Sequence, residues 1–121
     1  MKLKITFDGI LPSMNHAYRR RGHTHGMYMT QSAKDFKEYA GLVAKIAMRE
    51  SRWTMLPKDE NFYLMEIHFH FKNRRHPDPN NLLKILIDSL EGIVFENDKN
   101  IDVFTKSVID GKNKTIVIFT K

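Results

Sequence analysis

Hydrophobic and polar positions along the chain switch between a period of two and a period of about 3.6, and the switches mark six elements. Residues 2–7 set Lys2, Lys4 and Thr6 against Leu3, Ile5 and Phe7, which predicts a half-buried strand that Asp8-Gly9 ends. Residues 8–30 carry no sustained period and predict a long loop, a feature that in compact folds is usually functional or disordered. The helical period begins with Phe36, Tyr39, Ala40, Val43, Ile46 and Ala47. It predicts a helix that starts at Thr30 or Ser32, with Asp35 placed for a capping box from Ser32, and runs to about Arg49. Residues 51–60 predict a loop, whose Trp53 is placed to pack against the helix end rather than to stack a base.

Alternation returns over residues 61–72. Met65, Ile67, Phe69 and Phe71 face one way, and Leu64, Glu66, His68, His70 and Lys72 the other. A second helix follows, with Asp78 at its N-cap and Pro79 at its first position. At 100° per residue, Leu82, Leu83, Leu86, Ile87 and Leu90 share one side. Asn80, Asn81, Lys84, Asp88 and Glu91 share the other, and Gly92 closes the helix. Residues 102–109 and 114–120 read as strands, with Asp110-Gly111 between them as a hairpin turn. The order β-α-β-α-β-β predicts an α/β chain of the α+β kind. Two helices lie on a small mixed sheet of about four strands, as a single domain over residues 1–121.

Composition narrows the class. With 41% hydrophobic and 28% charged residues, the chain is ordinary for a soluble globular protein. It has no cysteine, which excludes a disulfide scaffold and a thiolate zinc site and fits a cytoplasmic location. No apolar run is long enough to span a bilayer, so no membrane partner is expected, and the first residues lack a signal-peptide core. The net charge of +6 turns attention to polyanions, nucleic acid above all. Arg19, Arg20 and Arg21 form a cationic run before Gly22, suited to phosphate contacts, and Arg74 and Arg75 form a second one beside the second helix.

The polar face of that helix and the acidic stretch after it, Glu96-Asn97-Asp98-Lys99-Asn100-Ile101-Asp102, are the candidate chemistry. Three patterns compete there. A calcium loop starting at Asp98 fails, because Val103 stands where glycine is needed and Ile109 where glutamate is. A nuclease pattern using Pro77-Asp78 and Asp110-Gly111-Lys112 has permitted spacing, but the turn already explains Asp110-Gly111. The third pattern brings Asp78 and Asp98 together around a divalent metal. A carboxylate-held Mg²⁺ activates water and relieves charge on a phosphodiester, and Lys84 adds a point cation that Asp88 orients from one turn away. The histidines His68 and His70 on one strand face lack a third clear ligand and read as a solvated pair.

The block Pro77-Asp78-Pro79-Asn80-Asn81-Leu82-Leu83-Lys84, then Asp88, then Val94-Phe95-Glu96-Asn97-Asp98, resembles the RusA family of Holliday-junction resolvases, small endodeoxyribonucleases common in phages and prophages. The segment Leu11-Pro12-Ser13-Met14-Asn15-His16-Ala17-Tyr18-Arg19 resembles that family's N-terminal block. The resemblance implies a homodimer that binds four-way DNA junctions and nicks opposing strands in pairs, in recombination and repair, with Mg²⁺ or Mn²⁺. It implies Lys84, Asp78 and Asp98 as catalytic residues. Asp78, Asn80 and Asp98 fall on the metal positions, Asn81 and Asp88 on supporting ones. Asn15, Arg19, Arg20, Arg21, Arg74 and Arg75 are the DNA-binding candidates. Two positions depart from the family pattern: Asn80 and Asn97 stand where aspartates are expected. An amide oxygen ligates a hard cation but brings no charge, so the alternative is a catalytically weak or inactive junction binder. A small RNA-binding domain is a third reading, with no recognisable RNA module to support it.

Overall fold

A computed structural model describes residues 1–12, 18–20 and 27–121. Its elements are β1 (Lys2–Asp8), β2 (Tyr18–Arg20), β3 (Met27–Met29), α1 (Gln31–Ser51), β4 (Tyr63–Phe71), α2 (Asn80–Leu90), a 3-10 turn (Asp98–Asn100), β5 (Ile101–Ile109) and β6 (Lys114–Thr120). The main sheet has four strands in the order β1-β6-β4-β5, and both helices pack on one face of it, so the fold is α+β with the order expected. The stretch expected to be a plain loop holds one more feature. Short strands β2 and β3 pair antiparallel, with Arg19 opposite Tyr28 and Arg20 opposite Met27. Strands of three residues are too short to show a period, which is why the pattern was silent on them.

The register stacks apolar residues in rows. Leu3 lies beside Phe119 and Phe119 beside Met65; Ile5 lies beside Val117 and Val117 beside Ile67. These rows are fully buried under Leu82, Leu86 and Leu90 of α2 and Ala40 and Ala44 of α1. Truncating one such side chain, for example Leu86→Ala, costs about 2–5 kcal/mol.

Three expectations about elements are corrected. First, Asp110-Gly111 does not close a hairpin. β5 pairs parallel with β4, and β6 pairs antiparallel with β4 on its other side. The connection therefore passes over the end of β4, and Asp110 N–H donates to Phe71 O at 3.1 Å. Turn chemistry reports that the chain reverses, with Gly111 at φ +80°, but not which strand it reverses onto. Second, Tyr39 and Ile46 of α1 are exposed, while Ala33, Ala40, Gly41 and Ala44 are the buried positions. Small size is needed at Gly41 because the turn after α2 comes close: a Cβ there would lie 3.2 Å from Ile93 Cδ1. Third, the expected capping box does not form: α1 is capped by Thr30, one of the two starts expected, whose hydroxyl accepts from Ala33 N–H at 3.4 Å, and Asp35 bonds the Gln31 amide and not Ser32. Trp53 packs in the core at the end of α1, with its backbone N–H donating to Met48 O at 2.8 Å.

Candidate nuclease site

Between β4 and α2 the chain turns through Lys72-Asn73-Arg74-Arg75-His76-Pro77. The His76 ring stacks on Phe71, centroids 4.1 Å apart and planes 12° apart, and its Nδ1 lies 2.8 Å from Pro77 O. A core aromatic thus fixes the residues just before Asp78. Ile10 lines the same small depression as Asn73, Arg75 and His76, so the N-terminal segment and the α2 approach are neighbours in space. Arg74 and Arg75 are exposed on this turn, with Arg75 N–H donating to Asn73 Oδ1 at 2.9 Å.

Asp78 lies just before α2, whose N-cap is Pro79 and not Asp78 as expected. Its Oδ1 accepts from Asn80 N–H at 3.0 Å and its carbonyl from Asn81 N–H at 2.9 Å. The regular helix begins at Asn80, and Pro79 is already in the right-handed helical region, which its ring favours. That local turn uses one carboxylate oxygen of the exposed Asp78. Asn80, Lys84 and Asp88 then follow one another at single-turn spacing along the outward side of α2. Lys84 Nζ lies 3.2 Å from Asp88 Oδ2, as expected, with both side chains partly exposed. The inward side is wider than the sequence indicated. Ile85 and Ser89 are buried with Leu82, Leu86 and Leu90, because α2 meets α1 as well as the sheet, and Ile85 packs on Ala33 and Phe36. A single apolar stripe cannot report two packing partners. Leu83 and Ile87 remain half-buried at its margin.

α2 gives way to a turn through Gly92, at φ +83°, whose N–H donates to Phe95 O at 2.7 Å. The acidic stretch follows, and most of its polar groups are already engaged. Glu96 accepts from Lys58 N–H at 2.8 Å. Asn97 caps the 3-10 turn, its Oδ1 accepting from Lys99 N–H at 2.9 Å. The buried Asn100 donates to Pro57 O and Asn61 O, both at 3.0 Å. Asp98 is exposed at the first position of the turn. Asn97, one of the two departures from the family pattern, thus has a local structural task that either an amide or a carboxylate performs.

Among the described residues, no group of three or more histidines, cysteines and carboxylates gathers where it would hold a metal. The expected set differs in kind, with two carboxylates, Asp78 and Asp98, and one amide, Asn80. All are oxygen donors, which suits a hard cation such as Mg²⁺. Of the DNA-binding candidates, Asn15 and Arg21 lie outside the described residues, and Arg19 and Arg20 lie in β2. The ring of His76, which no pattern singles out, positions the residues before α2 by stacking on Phe71; a spacing of five from Phe71 matches no regular period. No helix among the described residues is long and apolar enough to cross a membrane.

A basic two-layer chain whose exposed Arg74 and Arg75 lie just before Asp78 fits the class of small proteins that act on nucleic acid. Compared with known families, residues 9–119 match the model described as endodeoxyribonuclease RusA, and the chain belongs to that family. A comparison with curated proteins finds no match.

Proposed function

We propose that this RusA-family endodeoxyribonuclease resolves four-way junctions and related branched DNA by paired nicking of opposing strands, as a homodimer and with a divalent metal. The family match carries the nuclease reading. The exposed Lys84–Asp88 pair on α2 supplies the cation that this reading needs. Asp78, Asn80 and Asp98 would hold Mg²⁺ or Mn²⁺. When bound, that cation supplies relief of charge on the phosphate and a more acidic attacking water. Lys84 neutralises charge that develops on the phosphorus oxygens, and Asp88 keeps its ammonium aimed. Asn81 supports the helix start, and the exposed Arg74 and Arg75 hold the backbone of the bound duplex, together with Asn15, Arg19, Arg20 and Arg21.

The test is a labelled four-way junction incubated with Mg²⁺ or Mn²⁺. Wild type nicks opposing strands, and Asp98→Asn loses the activity by about a hundredfold or more, as loss of an electrostatic group in such a site does. Wild type without nicks in either metal, or Asp98→Asn nicking equally well, overturns the proposal. One observation favours a second reading, a junction binder that does not cut: the metal set has lost a carboxylate at Asn80. Such a protein binds the same junction with steep salt dependence and shows no metal-stimulated cleavage.

A further inference from the structure

β5 is an outer strand of the main sheet and its least protected one. Every residue from Asp102 to Ile109 is exposed, and the Phe104 ring is 62% exposed. The opposite edge is different: β1 buries Leu3, Ile5 and Phe7 and alternates them with Lys2 and Lys4. A long edge strand with apolar side chains and no proline or bulge presents unpaired N–H and C=O groups to any strand that fits. We infer that β5 pairs antiparallel with β5 of a second copy of this chain, about a twofold axis through Phe104. The inference rests on the homodimer in the proposed function and adds its interface and register.

The sequence of β5 selects the partner. Asp102, Phe104 and Lys106 lie on one face, opposite Leu64, Glu66 and His68 of β4. Asp102 and Lys106 are each two residues from Phe104. Antiparallel self-pairing centred on Phe104 therefore sets Asp102 of each copy against Lys106 of the other, twice, with the two Phe104 rings meeting between them. On the other face Val103 meets Thr105. Opposite charges, an aromatic pair and two β-branched residues are all favourable cross-strand neighbours. Beside Phe104 the sheet leaves a concavity of about 360 Å³, lined also by Leu64 and Glu66, with room for the partner's ring. An isologous interface needs such self-complementarity, and a centre shifted by one residue loses it, because Phe104 would then face Lys106 and Asp102 would face Val108. The pairing sets the two copies of Ile101 roughly 20 Å apart along the ribbon, at ~3.3 Å per residue. Each acidic turn continues outward from there, so the two candidate sites lie on opposite sides of the axis.

The full chain is tested by analytical ultracentrifugation. Wild type is a dimer. Asp102→Lys and Lys106→Asp each place like charges opposite one another at two places and weaken dimerisation by about tenfold or more. The double exchange Asp102→Lys/Lys106→Asp restores it. The absence of native cysteine permits a second measurement that does not depend on affinity. Phe104→Cys crosslinks to itself under mild oxidation, since directly opposed residues have a separation a disulfide spans, whereas Val108→Cys does not. A monomeric wild type, single variants as dimeric as wild type, no restoration by the exchange, or crosslinking at Val108→Cys in preference to Phe104→Cys each overturns the inference. Junction cleavage is scored on the same samples. A wild-type dimer that does not nick defeats the nuclease reading alone, and a nicking dimer insensitive to these substitutions defeats the interface alone.

Discussion

The Nδ2 group of Asn100 donates to two carbonyls, Pro57 O and Asn61 O, from an almost fully buried side chain. It ties the segment before β4 to the start of β5, and a carboxylate there has no hydrogen to give either oxygen. Asn100→Asp is therefore expected to destabilise the fold by about 2 kcal/mol or more, through two unsatisfied carbonyls and a buried charge. Urea unfolding checks this, and an unchanged midpoint would show that the clamp contributes nothing. Asn80 lies in the opposite setting. Its side chain is exposed in the first turn of α2, where an added negative charge is favourable by about 0.3–1 kcal/mol. Asn80→Asp is expected to keep or slightly raise stability, tighten Mg²⁺ binding and speed nicking. A neutral or slower enzyme with unchanged metal titration would remove Asn80 from the ligand set. Sequence pattern placed both asparagines in polar clusters, and only burial separates a clamp from a ligand.

Between elements, the connection from β5 to β6 holds the end of β4 in three ways. Asp110 N–H bonds Phe71 O, Asn113 Oδ1 accepts from Lys72 N–H at 2.9 Å, and the Asp110 carboxylate meets His70 Nδ1 at 2.7 Å. The His70 hydrogen bond is the main reason the Asp110 carboxyl lies below its ordinary value of 3.8, with the Lys112 backbone N–H and the nearby positive charges adding to it. A carboxyl whose pKa is lower in the folded state stabilises the fold above the unfolded pKa and loses that contribution as pH falls through the folded one. The tie therefore holds at neutral pH and is released only in acid below 3.8. A carbon-detected NMR titration is expected to find the Asp110 midpoint below that value in wild type and shifted back toward it in His70→Ala; equal midpoints in both proteins would dismiss the tie. The same region shows where reading a sequence stops. The alternation of Met65, Ile67, Phe69 and Phe71 gave the buried face of β4 correctly, because the period of a strand is local. The partners of β5 and β6 are set by where the chain goes next, and Asp110-Gly111 is silent on that. The burial of Ile85 against α1 was hidden for the same reason, since it depends on the angle between helices and not on the apolar stripe of either one.

At the scale of the whole molecule, the proposed function makes the net charge of +6 and the placement of the arginines the terms on which DNA would be held. Net charge alone pointed to a polyanion, but it could not show that the Arg74-Arg75 turn is exposed just before the Asp78 carboxylate, because that depends on His76 stacking on Phe71. Binding to a phosphate backbone releases condensed counterions, so affinity falls with salt at a slope set by the number of phosphates neutralised. If Arg74 and Arg75 each contact one phosphate of a junction arm, the double change Arg74→Ala/Arg75→Ala lowers the slope of log affinity against log salt by about two units, one per lost contact. The loss should be similar for junctions of different sequence, because phosphate contacts position the DNA and do not read its bases. Measuring junction affinity at several salt concentrations, with metal withheld so that no cleavage intervenes, separates this effect from catalysis. Both arginines are exposed, and Arg75 joins the turn's hydrogen bonding through its backbone, which alanine keeps, so the substitutions are expected to leave the fold intact. A weaker affinity with an unchanged slope would mean that the arginines act through the shape of the turn. An unchanged affinity would move the DNA track away from the start of α2, toward the arginines of β2.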